Sequence, residues 1–152
     1  MAHFTTQTIT SASREQVLEV LTDPDAIRDW APIPFELEEL DGYRLEAGSV
    51  ARVSGGIAGL NLGFDVEVHA ADEDGLELTA EGPIGIDVRY ALAAHEDGSE
   101  VTASVSVRGG GGITGRLVAR ATGALLAAGA LDGAAGRIAR AAETAPALAL
   151  AA

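Results

Sequence analysis

The 152-residue sequence contains no cysteine and no lysine, and aromatic residues are scarce, with one Trp, two Tyr and three Phe. Without cysteine, the chain can form neither a disulfide framework nor a thiol nucleophile nor a cysteine-ligated zinc site. Without lysine it cannot hold the phosphate-binding lysine of a P-loop. Disulfide scaffolds, thiol enzymes and P-loop nucleoside triphosphatases are therefore excluded.

Positive charge is also scarce, because ten Arg face 23 acidic residues and give a net charge of −13. Binding duplex DNA or inserting into an anionic membrane needs clustered cations, so we expect no nucleic-acid partner and no membrane insertion. The N-terminus lacks a basic segment followed by an apolar run. The longest uncharged run of the last helix, residues 121–131, is too short to span a bilayer. These features predict a soluble cytoplasmic protein.

Two short helices are predicted within residues 11–32, after a Thr-rich first strand at residues 3–10. Ser13 suits an N-cap, and the glutamine three positions later completes a partial capping box. Asp23-Pro24 ends the first helix and suits the start of the second, since proline is favoured in the first helical turn. The second helix reaches Trp30.

From residue 35 to residue 108 the hydrophobic pattern has a period of two, which predicts strands. We expect six of them, at residues 35–40, 43–53, 58–71, 75–82, 84–94 and 99–108. The turns between several of them carry hairpin signals at Asp41-Gly42, Asp74-Gly75 and Asp97-Gly98. One face of these strands is apolar and the other charged, as in an antiparallel sheet with one face toward water.

The C-terminal region predicts one long helix over residues 113–143, led by a flexible Gly-rich joint that lets it move as a lid. Its apolar stripe consists mainly of Ala, and its interior contains five glycines. Such a helix either leaves a cavity between itself and a curved sheet or packs closely on that sheet. Residues 1–143 are predicted to form a single domain, and residues 144–152 a flexible tail.

The short motifs that could indicate cofactor or metal chemistry lack the surrounding secondary structure or partner residues that such sites need. Residues 110–115 fit GxGxxG, but no strand follows the helix, so the parallel unit of a dinucleotide fold is missing. His3, His69 and His95 form no ligand pair, and no GxSxG elbow is present. We therefore expect no cofactor and no metal.

The apolar faces of the strands and of the last helix supply the predicted ligand-binding residues. These are Trp30, Phe35, Tyr43, Leu60, Leu62, Phe64, Val66, Leu78, Ile86, Val88, Tyr90, Leu117, Ala121, Ala124, Leu125 and Ala128. Tyr90 and Arg52 are the catalytic candidates. Tyr90 is either a core tyrosine bonded to backbone or a polar handle for a ligand. Arg52 either points inward, where it would polarise a ligand carbonyl, or lies on the surface.

The layout resembles the SRPBCC (START/birch-pollen-allergen-like) superfamily, and within it the polyketide cyclase/dehydrase and lipid-transport group. The segments that carry the resemblance are SASREQVLEVLTDPDAIRDWAP and GGGGITGRLVARATGALLAAGALDGAAGRIARA. The resemblance implies an α+β helix-grip fold. In it, a curved seven-stranded antiparallel sheet wraps around a long C-terminal helix and encloses an apolar cavity, and two short helices lie between strands 1 and 2.

The resemblance and the apolar lumen together suggest a protein that binds a hydrophobic, polyketide-like or lipid-like molecule. We expect a polyketide cyclase that acts by confining and orienting its substrate. The alternatives are a non-catalytic carrier or sensor of a lipid, quinone or other hydrophobic metabolite, and an interaction domain that uses the acidic sheet face. A monomer or a homodimer is compatible with the pattern, and the Ala/Gly/Arg-rich composition suggests a bacterial source.

Overall fold

The sheet forms the body of the molecule. The computed structural model describes residues 2–32, 35–57, 59–109 and 111–151, with side chains as far as Thr144. Within these ranges seven antiparallel strands follow the order β1-β7-β6-β5-β4-β3-β2. They are β1 (Ala2–Thr10), β2 (Phe35–Leu40), β3 (Val50–Ile57), β4 (Leu60–Asp72), β5 (Gly75–Glu81), β6 (Gly85–His95) and β7 (Gly98–Arg108). The predicted antiparallel α+β helix-grip fold is confirmed.

The third strand departs from its prediction, because β3 begins at Val50 rather than at residue 43. The preceding residues form a loop that is attached to the first helix. Leu45 N donates to the carbonyl of Thr22 at 3.0 Å, and Arg44 contacts Glu19 at 2.9 Å. These tertiary contacts override the local alternation of residues 43–49.

Two short helices, α1 (Arg14–Thr22) and α2 (Pro24–Trp30), follow β1 as predicted. The Ser13 side chain accepts from Gln16 N at 3.2 Å, and the Gln16 side chain accepts from Ser13 N at 2.7 Å, which completes the capping box. Asp23 caps α2 through its side chain. The sharp turn between the helices places Trp30 beneath the sheet, where it is 5% exposed.

The predicted single C-terminal helix is in fact two helices, α3 (Gly112–Ala127) and α4 (Ala130–Ala151), bent by 57°. The break lies at Gly129, whose φ of +102° is a backbone conformation that L side chains rarely adopt. α3 packs against β1, β7 and β3, whereas α4 packs against β1, α1 and α2. The lid motion of this region and the flexibility of residues 144–152 stay predictions.

The break also shifts the phase of the apolar stripe. In α4 the buried face includes Leu131, Ala135, Ile138 and Ala142, which recur at helical spacing. In α3 the buried face instead carries Gly115, Val118, Thr122 and Leu126. If the helical spacing of the buried residues in α4 is continued toward the N-terminus past Gly129, it therefore predicts the wrong buried face for α3.

Among the described residues, no single helix is long and apolar enough to cross a bilayer. The pair of α3 and α4 reaches that length and hydropathy only when taken together, across its 57° bend.

Candidate functional site

An apolar cavity of about 180 Å³, here called the Tyr90 cavity, lies between the inner face of the sheet and the helices α2 and α3. Strands β2 to β7 each contribute to its wall. The aromatic part of the lining consists of Trp30, Phe35, Phe64 and Tyr90. The helix that covers it is α3, through Thr122 and Leu126. The space predicted between the sheet and the C-terminal helices is therefore present, under α3 rather than under α4.

A second apolar cavity of about 150 Å³, here called the Leu45 cavity, adjoins the first. The two share a wall formed by Ile27, Trp30, Phe35, Val53 and Leu78. The rest of its lining is also hydrocarbon and includes residues of β2, β4 and β5 and of the loop before β3. The pair thus offers two ring-sized spaces side by side.

Trp30 is fixed in the shared wall from two directions. Its indole Nε1 donates to the carbonyl of Val20 at 3.0 Å. The Arg137 guanidinium on α4 donates to the carbonyls of Trp30 and Ala31 at 3.1 and 3.3 Å. These carbonyls end α2 and lack helical partners, so the cation suits this position both as a donor and as a charge. The aromatic wall therefore depends on α1 and α4.

Tyr90 is 2% exposed, and its ring meets Trp30 edge to face, with centroids 5.2 Å apart and planes at 78°. No described residue forms a hydrogen bond with the Tyr90 hydroxyl. Among the described side chains, no fully inaccessible nitrogen or oxygen lacks a hydrogen-bond partner. Tyr90 is one of the residues that line the cavity. Burial raises the pKa of Tyr90, and nearby Arg137 acts in the opposite direction. The side chain is a neutral phenol at physiological pH.

No charged side chain of the described residues lines either cavity. Besides Tyr90, only Trp30 and Thr122 bring polar side-chain atoms to the walls. Thr122 Oγ1 donates to the carbonyl of Val118 at 2.8 Å, so its proton is already used within α3. The site can therefore bind and orient an apolar molecule, but it offers no carboxylate, imidazole or ammonium group for acid–base chemistry.

Half of the predicted ligand-binding residues lie at these cavities. The Tyr90 cavity is lined by Trp30, Phe35, Phe64, Leu78, Ile86, Val88 and Tyr90, and the Leu45 cavity also by Val66. Leu62 packs half-buried against the core without lining either cavity. Their contact with a ligand stays a prediction.

Seven other predicted positions lie away from the cavities, and their predicted place in the lumen is wrong. Tyr43 is 96% exposed because residues 43–49 form a loop instead of a strand. Leu60 lies at the exposed start of β4. The positions on or after α3 face away because of the shifted stripe: Leu117, Ala124, Leu125 and Ala128 are exposed, and Ala121 is half-buried beside the core.

Arg52 lies on the outer face of the sheet, where its guanidinium donates to Asp65 at 3.0 and 3.1 Å. Arg52 is paired in the sheet with Glu39 of the neighbouring strand β2, and the Arg52 side chain is 59% exposed. The surface alternative is therefore correct, and the inward, catalytic placement of Arg52 is wrong. Neighbouring Val53 points to the cavities instead.

Several cavity residues escaped prediction: Ile27, Val53, Ala80, Thr122 and Leu126. Ile27 was recognisable as part of the apolar side of α2. Val53 depended on the register of β3, which its own residues leave ambiguous because both Val50 and Val53 are apolar. Thr122 and Leu126 would have been found only by placing the helix break at Gly129.

A larger groove of about 1070 Å³ lies on the outer face of the sheet and is open to solvent. Its lining is dominated by acidic residues such as Glu38, Asp65 and Glu67. Nearby, the Arg108 guanidinium donates to Asp87 and lowers the pKa of that carboxyl. Exposed pairs of this kind stabilise little. Within the described ranges no three His, Asp or Glu side chains are grouped to hold a metal ion.

Comparison with known proteins identifies the chain's relatives. A family model described as "Polyketide cyclase / dehydrase and lipid transport" matches residues 1–143. No curated protein shows significant sequence similarity to this chain.

Solved structures share the fold at low identity. Protein CV1439 from Chromobacterium violaceum is 15% identical, with a TM-score of 0.63 over 90% of this chain and 96% of its own. The structure of Ara h 8.0201 is 14% identical, with a TM-score of 0.61 over 94% of this chain and 98% of its own. DynU16, from the dynemicin biosynthetic locus, is 24% identical with a TM-score of 0.60; the match covers 94% of this chain and 48% of DynU16. At these identities the likeness shows the fold alone.

Proposed function

Because the chain belongs to the polyketide cyclase/dehydrase and lipid-transport family of the SRPBCC superfamily, we propose that it binds a hydrophobic, polyketide-like or lipid-like molecule in the paired cavities. The observation that carries the proposal is a pair of adjoining cavities with an almost wholly apolar lining. Burying apolar ligand surface there is favourable by roughly 25 cal/mol per Å². A molecule that fills both spaces gains more than one that fills either alone.

As a catalyst, the protein would act as a cyclase by confinement. Rigid walls such as Trp30 and Phe64 can hold a flexible chain in a folded, near-attack conformation, which accelerates ring closure through orientation. Tyr90 can donate a hydrogen bond to a substrate carbonyl. The bond-making groups must then belong to the substrate, since the lining supplies no strong acid or base.

The second candidate is a carrier or sensor of a lipid, quinone or other hydrophobic metabolite. The specific observation that favours it is the lack of a charged side chain in the described lining. A carrier returns its ligand unchanged, whereas a cyclase changes the product distribution of a reactive poly-β-ketone. Product analysis with and without the protein therefore separates the two candidates.

Binding itself is tested with a cavity-filling variant. Val88 is half-buried and lines the Tyr90 cavity, so Val88→Phe should fill part of the space. We expect the affinity for the neutral dye N-phenyl-1-naphthylamine to fall about tenfold or more, since the dye loses the apolar contact area that the new ring occupies, at roughly 25 cal/mol per Å². The measurement is a fluorescence titration, with Trp30 as the sole tryptophan donor.

The matched control is Val50→Phe, the same change at a residue that is 53% exposed. It should bind the dye like the unaltered protein, and both variants should show cooperative thermal unfolding. Equal dye affinity in all three proteins, or no binding to the unaltered protein, would contradict the proposal.

A further inference from the structure

The lining of the two cavities restricts the chemistry of the ligand beyond being hydrophobic. Resting on the proposed function, we infer that the ligand is neutral and carries one carbonyl-type hydrogen-bond acceptor, which meets the Tyr90 hydroxyl, while the rest of the molecule is hydrocarbon of about two ring-sized units. Ketones and quinones belong to this class, and fatty acids in their carboxylate form do not.

The position of the ligand's hydrogen-bond acceptor follows from which donor in the lining of the Tyr90 cavity has no partner among the described residues. Three polar side chains of the described residues reach the Tyr90 cavity, namely those of Trp30, Thr122 and Tyr90. The Trp30 indole donates to the carbonyl of Val20, and the Thr122 hydroxyl to the carbonyl of Val118. Only the Tyr90 hydroxyl has no hydrogen-bond partner among the described residues. A buried phenol gains most when a ligand supplies the missing acceptor.

The neutrality of the ligand follows from the charges around the cavities. No charged side chain of the described residues lines either of them. Arg137, whose charge acts on Tyr90, is outside both linings, and its guanidinium donates to the carbonyls of Trp30 and Ala31. A carboxylate in the cavity would lose its hydration without gaining a partner, and this cost is large.

The size of the ligand follows from the two volumes of about 180 and 150 Å³. An apolar cavity of about 150 Å³ accommodates benzene or xenon, so each space suits one ring-sized unit. The Leu45 cavity has no free polar side chain among its described lining residues, since Trp30 is its one polar member. The acceptor therefore lies at the Tyr90 end, and hydrocarbon lies at the other.

The test compares three probes of one bicyclic shape: 1-tetralone, tetralin and 1,2,3,4-tetrahydronaphthalene-1-carboxylate. Each is titrated calorimetrically into the unaltered protein and into Tyr90→Phe and Thr122→Val. We expect Tyr90→Phe to weaken 1-tetralone binding about threefold to tenfold, the effect of one neutral hydrogen bond, and to leave tetralin unchanged. Thr122→Val, a matched loss of a wall hydroxyl, should leave the ketone preference intact. The carboxylate should bind the unaltered protein at least about tenfold more weakly than the ketone.

A measurement on the unaltered protein makes the test independent of the variants. The ¹³C carbonyl resonance of labelled 1-tetralone should move downfield on binding, relative to its position in cyclohexane, because the carbonyl accepts a hydrogen bond. An unshifted resonance, equal loss of tetralin and tetralone affinity in Tyr90→Phe, or a carboxylate that binds as tightly as the ketone would overturn the inference while leaving hydrophobic binding in place. Failure of all three probes to bind the unaltered protein would overturn the proposed function as well.

Discussion

At the scale of single residues, the side chain that secures the cavity wall comes from the far end of the chain. Arg137 on α4 is half-buried and donates to the carbonyls of Trp30 and Ala31, which end α2. Trp30 in turn meets Tyr90 edge to face. Losing the guanidinium leaves two carbonyls with poorer partners and frees the end of α2.

We predict that Arg137→Ala lowers the free energy of unfolding by about 1–2 kcal/mol, because hydrogen bonds from charged donors are stronger than neutral ones and this site is partly solvated. It should also weaken N-phenyl-1-naphthylamine binding, since the wall that contains Trp30 loses its support. Urea unfolding and the dye titration measure the two effects.

Arg52→Ala is the matched control, because it removes a cation that pairs with Asp65 on the outer face. It should leave dye affinity unchanged. A loss of affinity in Arg52→Ala equal to that in Arg137→Ala would show that overall charge, and not support of the wall, governs binding.

At the scale of elements, the division of the C-terminal region into α3 and α4 decides what covers the cavity. Gly129, with φ +102°, allows the 57° bend, and no atom lies within 4 Å of the position where a Cβ would be added. The cost of a side chain there is therefore backbone strain alone. Gly123, within α3, has an ordinary helical conformation, and an added Cβ there would reach the Phe4 ring at 4.0 Å.

We predict opposite effects for the same substitution at these two glycines. Gly129→Ala should destabilise the protein by about 1–2 kcal/mol, the cost of placing an L residue in the left-handed region. Gly123→Ala should stabilise it by about 0.5–1 kcal/mol, because alanine is the better helix former. Urea unfolding of both variants checks this, and stabilisation by both would indicate one continuous helix in solution.

The elements that the sequence predicted well are those whose signals are local. The capping box at Ser13, the Asp23-Pro24 junction and the strict alternation of β4, β6 and β7 each depend on a few neighbouring residues. The start of β3 was mispredicted because Arg44 and Leu45 bind α1, a contact between distant segments.

The face of α3 was mispredicted for a different reason. Ala and Gly dominate both sides of this helix, so its apolar stripe offers little contrast, and Leu117, which is 50% exposed, was assigned to the buried face. Cavity positions on β4 and β6 followed from alternation, whereas Val53 required the register of β3 and the positions on α3 required the bend.

At the scale of the whole molecule, acidic groups lie on one face of the sheet and unfilled apolar space on the other. Unfilled apolar space lowers stability, because the side chains around the Tyr90 cavity lack the contacts that closer packing would supply. A guest that fills this space and binds only the folded state must raise the unfolding temperature. Stability and binding are therefore coupled through the same volume.

Diffraction from crystals pressurised with xenon shows whether the inner side of the sheet holds open apolar space, because xenon enters apolar cavities without needing a specific polar contact. We expect a strong xenon peak between Trp30, Phe64 and Tyr90, beneath Leu126 of α3, and a second in the Leu45 cavity. Side chains that fill this region, with xenon absent or bound only outside the sheet, would contradict it.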